Sequence, residues 1–153
     1  MKHKRAKQFA ALPFRLRHGE PEVLLITSRD TGRWIIPKGW PTKNMAPPAV
    51  AALEAFEEAG LVGKVGKRSV GSYRYDKRLI GENIIACKVR VFLFQVQEQL
   101  EEWPEQRDRR RCWLSPLDAA ARVKESELSS LLLGLPHRLG CTGAHALAPS
   151  PTL

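Results

Sequence analysis

Cysteine is scarce in this chain of 153 residues: Cys87, Cys112 and Cys141 are odd in number, far apart and never arranged as C-x-x-C. That spacing excludes a disulfide framework and fits thiols kept in a reducing compartment. Histidine offers no metal cage either, because His3, His18, His137 and His145 fall in the ends of the chain or a turn and lack ligand spacing. With neither residue type beside the acidic cluster described below, zinc is not expected there. Long apolar runs are missing too. No stretch approaches the roughly 18 uncharged apolar residues of a membrane span. The apolar segment after the basic opening Met1–Lys7 is broken by Pro13, Arg15 and Arg17, which argues against a signal peptide. A cytoplasmic protein with no membrane partner is therefore expected, and no internal repeat is visible.

Acidic residues are in deficit, 16 against 25 Lys and Arg, for a net charge of +9. A surface of that sign attracts polyanions, so polyphosphates and nucleotides join nucleic acid and anionic lipid as candidate partners. The length suits one domain with a real core. The expected layout is a basic N-terminal tail over residues 1–7, a domain over 8–139 and a C-terminal tail over 140–153, where Gly, Ala, Pro, Ser and Thr dominate without periodicity.

Within the domain, Gln8–Arg17 and Glu22–Ser28 read as strands joined at His18-Gly19-Glu20-Pro21, and Trp34-Ile35-Ile36 reads as a third strand stopped by Pro37. Pro47 and Pro48 suit only a helix's first turn, and the alanine-rich run that follows predicts a helix from about Ala46 to Gly60. Val65–Tyr75, Asn83–Gln97 and Arg111–Leu114 read as strands. Ser115-Pro116 reads as an N-cap opening a helix to about Val123, with another around Glu127–Leu133. The mixture predicts an α/β or α+β layered domain.

Chemistry concentrates on the first helix. At about 100° per residue, with Glu54 at zero, Glu57 falls at about 300° and Glu58 at about 40°, so three carboxylates share one face. Ala49, Ala52, Leu53, Ala55, Phe56 and Ala59 fall on the opposite side, which predicts a helix that packs on its apolar face and presents its acids. No Lys or Arg lies inside the helix, so the carboxylates repel one another, and a hard cation such as Mg²⁺ would relieve them. A solvated acidic face is the plain alternative. Arg29, Arg33 and Lys38 stand just upstream, as a metal-bridged phosphate would require.

The segment Gly39–Leu61, GWPTKNMAPPAVAALEAFEEAGL, resembles the Nudix box GX5EX7REUXEEXGU. Gly39, Glu54, Glu57, Glu58, Gly60 and Leu61 register without a gap, whereas Met45 and Leu53 stand at the positions of the box's first glutamate and its arginine, and Ala55 is small for an aliphatic position. RWIIPKGWP before the box, and the region from Trp103 to Ala120, are similar to the diphosphoinositol-polyphosphate phosphohydrolase subgroup. The resemblance implies an α/β/α sandwich around a mixed sheet and Mg²⁺, with Mn²⁺ as a substitute, held by Glu54, Glu57 and Glu58 together with Gly39. It also implies hydrolysis of a diphosphate bond in a diphosphoinositol or dinucleoside polyphosphate. Alternatives are hydrolysis of ADP-ribose, a nucleoside triphosphate or RNA 5′ ends, or a module that binds polyphosphate with weak catalysis.

Arg15, Arg29, Arg33 and Lys38 are the candidate substrate-binding residues, with Lys43 and the Arg74/Lys77/Arg78 group as further cations. The general base is Glu54, or Glu82 or Glu105 reaching from a loop. The Arg107–Arg111 run reads as a hydrated loop without interleaved aromatics, so nucleic acid is not an expected partner. Trp34, Trp40, Trp103 and Trp113 read as packing residues, Trp40 also as a possible base platform. Monomer and homodimer are both compatible with the chain.

Overall fold

The computed structural model describes residues 4–81 and 83–141. The strands are β1 (Lys4–Arg17), β2 (Glu20–Thr27), β3 (Trp34–Ile35), β4 (Lys38–Gly39), β5 (Leu61–Val65), β6 (Gly71–Arg78), β7 (Ile84–Gln99) and β8 (Arg111–Leu114). The helices are α1 (Pro47–Ala59), α2 (Pro116–Arg122), α3 (Ser126–Leu133) and α4 (Leu135–Arg138), with a 3₁₀ turn at Gln106–Asp108. The expected C-terminal tail lies outside the described residues beyond Cys141.

All the strands join one mixed sheet whose spine is β3-β2-β1-β7-β5. At its centre β1 and β7 run parallel, and every other pairing is antiparallel. The hairpin between β1 and β2 turns on His18 and Gly19 alone, both at positive φ, which matches the right-handed twist of the strands. β1 begins at Lys4, so Lys4–Lys7, expected as part of a tail, pair with Ile85–Lys88.

Val65–Tyr75, expected as one strand, is two. Because β1 occupies one edge of β7, β5 and β6 share the other: β5 pairs with Phe94–Gln99 and β6 with Ile84–Val91. The chain turns over 66–70 between them, held by bonds from the Gly66 and Val70 N–H groups to the Leu93 and Val91 carbonyls.

One apolar cluster lies on each face of the sheet. On one side α1 sets Val50, Ala51, Ala55 and Ala59 against Phe9, Ala11, Phe92 and Phe94. On the other, α2, α3 and α4 set Ala119, Leu128, Leu132 and Leu135 against Leu12, Val23, Tyr73 and Val91. The result is an α/β/α sandwich, as expected. Ser115 caps α2 by accepting the Asp118 N–H at 3.1 Å.

The prediction for α1 needs correction. Its bounds agree, with Ala46 as N-cap and Gly60 closing it in the left-handed region at φ 67°. Its orientation does not. The buried residues are Val50, Ala51, Ala55, Glu58 and Ala59, whereas Phe56 is exposed. On the same wheel these span an arc from about 320° to about 140°, with Glu58 inside it. Small alanines let the helix lie close to the sheet, so this arc packs despite its carboxylate, and the acids are not presented on a solvated face.

Candidate active site

Glu54 and Glu58 line a cleft of about 720 Å³ between the C-terminal half of α1, β4, the β2–β3 loop and the far end of β6. Other lining residues are Arg29, Arg33, Lys38, Trp40, Tyr75, Lys77, Arg78, Glu105, Arg109 and Lys124. Carboxylates thus sit opposite a set of cations, the arrangement a metal-bridged phosphate needs. Gly39 explains how Glu54 gets there. A Cβ at Gly39 would fall 2.5 Å from Glu54 Cδ, so only glycine leaves room for this carboxyl against the backbone of β4.

Glu58 is 7 % exposed, and its two oxygens face different partners. The backbone N–H of Lys38 donates to Oε1 at 3.3 Å, and Arg109 Nη2 lies 3.5 Å from Oε2. Burial raises its pKa, while Arg109 and Lys38 pull the other way. Glu54 is pushed up to about 8, first by burial and then by the neighbouring charges of Glu58, Glu57 and Glu105. Burial also brings Lys38 down to about 8, with Glu58 opposing the shift. Its ammonium sits 5.0 Å from the centre of the Tyr75 ring, a cation–π contact.

Of the expected ligands, Glu54, Glu58 and Gly39 come together in the cleft. Glu57 does not line it. Its charge still acts on Glu54, and its carbonyl accepts the Glu105 N–H at 3.0 Å, tying α1 to the loop after β7. Among the described residues no three carboxylate, imidazole or thiol side chains converge as a ready metal cage. Two crowded carboxylates nevertheless fit Mg²⁺, which usually takes one or two protein carboxylates and leaves other positions to water and phosphate. The all-oxygen donor set and the repulsion between the buried Glu58 and the half-buried Glu54 both favour a hard divalent cation at this point.

Three of the four expected substrate-binding cations line the cleft, in different states. Lys38 faces it directly. Arg29 is more than half exposed and only loosely paired, at 4.0 Å from both Glu105 and Asp108. Arg33 is engaged internally, with Nη2 2.8 Å from the buried Glu125. Arg15 is elsewhere: its Nε bonds Glu22 at 2.8 Å and its guanidinium stacks on Trp113, so it is structural. Lys77 and Arg78 join the cleft, whereas Arg74 pairs with Glu127 and Lys43 lies outside the lining.

Arg109 corrects the reading of the Arg107–Arg111 run as a hydrated loop. Its side chain is 6 % exposed, with Nε 3.0 Å and Nη2 2.8 Å from Glu105 Oε1, and Nη1 donating to the Thr27 carbonyl at 3.0 Å. Arg111 is partly buried, with Nη1 donating to the Ala59 and Leu100 carbonyls and its guanidinium over Trp103. Five arginine and aspartate positions in a row carry no periodic signal, so only tertiary contacts separate the buried members. Lys124 was also not legible, since it is one exposed-looking lysine between two helices. Met45 packs against the apolar cluster beneath α1, so the position expected for the box's first glutamate holds a hydrophobic plug. Glu82 lies outside the described residues.

No protein-family model matches the chain. It is 31% identical over 153 residues to a bovine protein named diphosphoinositol polyphosphate phosphohydrolase 3-beta, covering 95% of this chain and 87% of that one. It is 32% identical over 101 residues to the Arabidopsis thaliana protein named Nudix hydrolase 12, mitochondrial, covering 64% of this chain. The chain belongs to the Nudix hydrolase family. It spans half the length of the Arabidopsis relative. The fold of this Nudix hydrolase matches a Caenorhabditis elegans Ap4A hydrolase binary complex with TM-score 0.66 at 19% identity, over 90% of this chain and 99% of that one. No described helix is long and apolar enough to cross a membrane.

Proposed function

We propose that this Nudix hydrolase cleaves a phosphoanhydride bond in a highly anionic substrate, a diphosphoinositol polyphosphate or a dinucleoside polyphosphate, using Mg²⁺ or Mn²⁺. The observation that carries the reading is one cleft in which Glu54 and Glu58 face Lys38, Lys77, Arg78 and Lys124. The names of the bovine relative and of the nematode structure point to the same two substrate classes.

Glu54 and Glu58 would hold the cation, which supplies neutralisation of the charge on the diphosphate. Lys38, Lys77, Arg78 and Lys124 hold non-bridging oxygens and keep the phosphates oriented. Lys38 is the most committed of these, because burial leaves its charge poorly solvated until an anion arrives. Glu54, ionised once the cation offsets the neighbouring acids, takes the proton of the attacking water. Glu105 is the alternative base on the cleft wall, held in place by Arg109. Between the two substrate classes, the exposed indole of Trp40 on the cleft wall favours a nucleoside end, since it offers a face on which a base can stack.

The test is a panel of diphosphates with Mg²⁺, Mn²⁺ and chelator, scored by product identity. Glu58→Gln is expected to lower kcat by at least about 10²-fold, the scale of one lost electrostatic stabiliser. Unchanged turnover in Glu58→Gln, or binding of every panel member without turnover by the parent protein, would overturn the reading.

A further inference from the structure

The connector between α2 and α3 is Val123-Lys124-Glu125, and it brings one cation to the cleft. Val123 and Glu125 have extended backbones, with ψ of 151° and 124°, so side chains alternate along the connector. Val123 and Glu125 are buried, whereas Lys124 between them is exposed and lines the cleft. Glu125 is also the N-cap of α3, yet its side chain accepts no capping hydrogen bond. It turns inward instead, where its Oε2 lies 2.8 Å from Arg33 Nη2.

Arg33 ends the β2–β3 loop, which supplies Arg29, Asp30 and Thr31 to the cleft lining. The loop is braced within itself: the Ser28 N–H donates to the Arg33 carbonyl at 2.8 Å, and the Gly32 N–H to the Ser28 carbonyl at 3.0 Å. The α2–α3 corner is braced too, by the Ser129 hydroxyl donating to the Ala120 carbonyl at 2.9 Å. The Arg33–Glu125 pair therefore joins two braced pieces of the cleft wall, and Arg33 is the only ion-pair partner of Glu125 among the described residues. Stability alone does not account for it. Arg33 Nη1 and Glu125 Oε1 are buried with no protein hydrogen-bond partner among the described residues. A buried ion pair satisfied only in part gains little over well-packed apolar side chains of similar volume.

We infer that Glu125 is a positioning residue: through Arg33 it clamps the α2–α3 connector to the β2–β3 loop, and so holds Lys124 where it meets the phosphates of the substrate. Glu125 is itself buried and absent from the cleft lining, so it acts through its neighbour. A lysine on a loose connector loses backbone freedom when an anion binds, and an unclamped Lys124 therefore binds more weakly. This role rests on the reading of the cleft as a polyphosphate site.

Hydrolysis of Ap4A with Mg²⁺ is measured for the parent, Glu125→Gln, Lys124→Ala and the two substitutions together, at a temperature where thermal unfolding shows each to be folded. Glu125→Gln is expected to raise KM about 10-fold, the scale of ordering one residue on binding, with kcat within about 2-fold of the parent's. Lys124→Ala raises KM at least as much, and adding Glu125→Gln to it changes KM no further, because the residue that Glu125 positions is gone. A general loosening of the fold would instead lower kcat and act equally with and without Lys124. If Glu125→Gln folds too poorly to assay, Glu125→Asp takes its place. It keeps a counter-charge for Arg33 but reaches less far than the 2.8 Å contact needs, and the same dependence of KM on Lys124 is expected. A parent-like KM, or an equal rise in the Lys124→Ala background, overturns the positioning role. Tripolyphosphate binding in chelator separates this role from the reaction. A parent that hydrolyses no diphosphate, yet binds tripolyphosphate with the same Glu125–Lys124 dependence, leaves the positioning role standing and removes the proposed function. A parent that neither binds nor hydrolyses overturns both.

Discussion

Gly39→Ala isolates the placement of Glu54 from the rest of the fold. A Cβ there falls 2.5 Å from Glu54 Cδ and 2.6 Å from Cγ and Oε2. Carbon atoms settle at about 3.5–4.0 Å, so the carboxyl has to retreat by about 1 Å. The backbone itself tolerates alanine, since Gly39 is not among the residues at positive φ. The obstructed group is the far end of a flexible side chain, which keeps the stability cost near the low end for overpacking, about 1 kcal/mol, or about 2–4 °C in Tm. A displacement of about 1 Å at a reacting centre costs about 10²-fold in rate. The expected outcome is a kcat/KM roughly 10²-fold lower with a nearly unchanged Tm, read from Mg²⁺-dependent product formation beside thermal unfolding. Gly63→Ala supplies the contrast, because its Cβ would collide with the Gln95 carbonyl on β7, and neither residue lines the cleft. That variant should lose stability and keep its kinetic constants in the fraction that folds. Parent-like kinetics in Gly39→Ala would refute the idea that the position of Glu54 governs the rate.

Glu125→Gln should be costly for the fold, since it leaves the Arg33 guanidinium without its counter-charge beside a buried amide. Loss of one partner of a buried pair costs about 3–5 kcal/mol, visible in urea unfolding, and Arg33→Met/Glu125→Leu should recover most of it. An equally unstable double variant would show that the pair itself is not the source. In metal-free protein the pKa of about 8 at Glu54, raised from 4.5, means that the folded state holds an extra proton between those values. Stability from this group is therefore fully present below about pH 4.5 and lost as pH rises through about 8. Lys38 acts with the opposite sign. Its folded pKa of about 8 lies below 10.5, so its contribution is unfavourable at low pH and disappears as pH rises from 8 to 10.5. Urea unfolding in chelator across pH 4–9 should show a decline that Glu54→Gln flattens, and a decline of equal slope in that variant would count against the assignment.

Some of this protein was legible in local sequence. Helix α1 announces itself through Pro47-Pro48 at one end and Gly60 at the other, because proline lacks an N–H only a first turn can spare and glycine accepts the left-handed closing residue. The spacing of Glu54, Glu57 and Glu58 and the glycines around them carried the family and hence the layered fold. These features depend on a few adjacent residues and survive in a linear string.

Tertiary structure alone decided which carboxylates and cations meet. A helical wheel ranks faces by polarity, but α1 packs on its small residues, which carries Glu58 into the interior and leaves Phe56 outside. Charge type cannot tell Arg109, locked between Thr27, Glu105 and Glu58, from Arg107 two residues earlier, nor Arg15 on Trp113 from Lys38 in the cleft. Those distinctions come from strand pairings and loop contacts tens of residues apart. The row of Lys7, Lys88 and Arg74 is the clearest case: three surface cations far apart in sequence become neighbours because β1, β7 and β6 pair in that register.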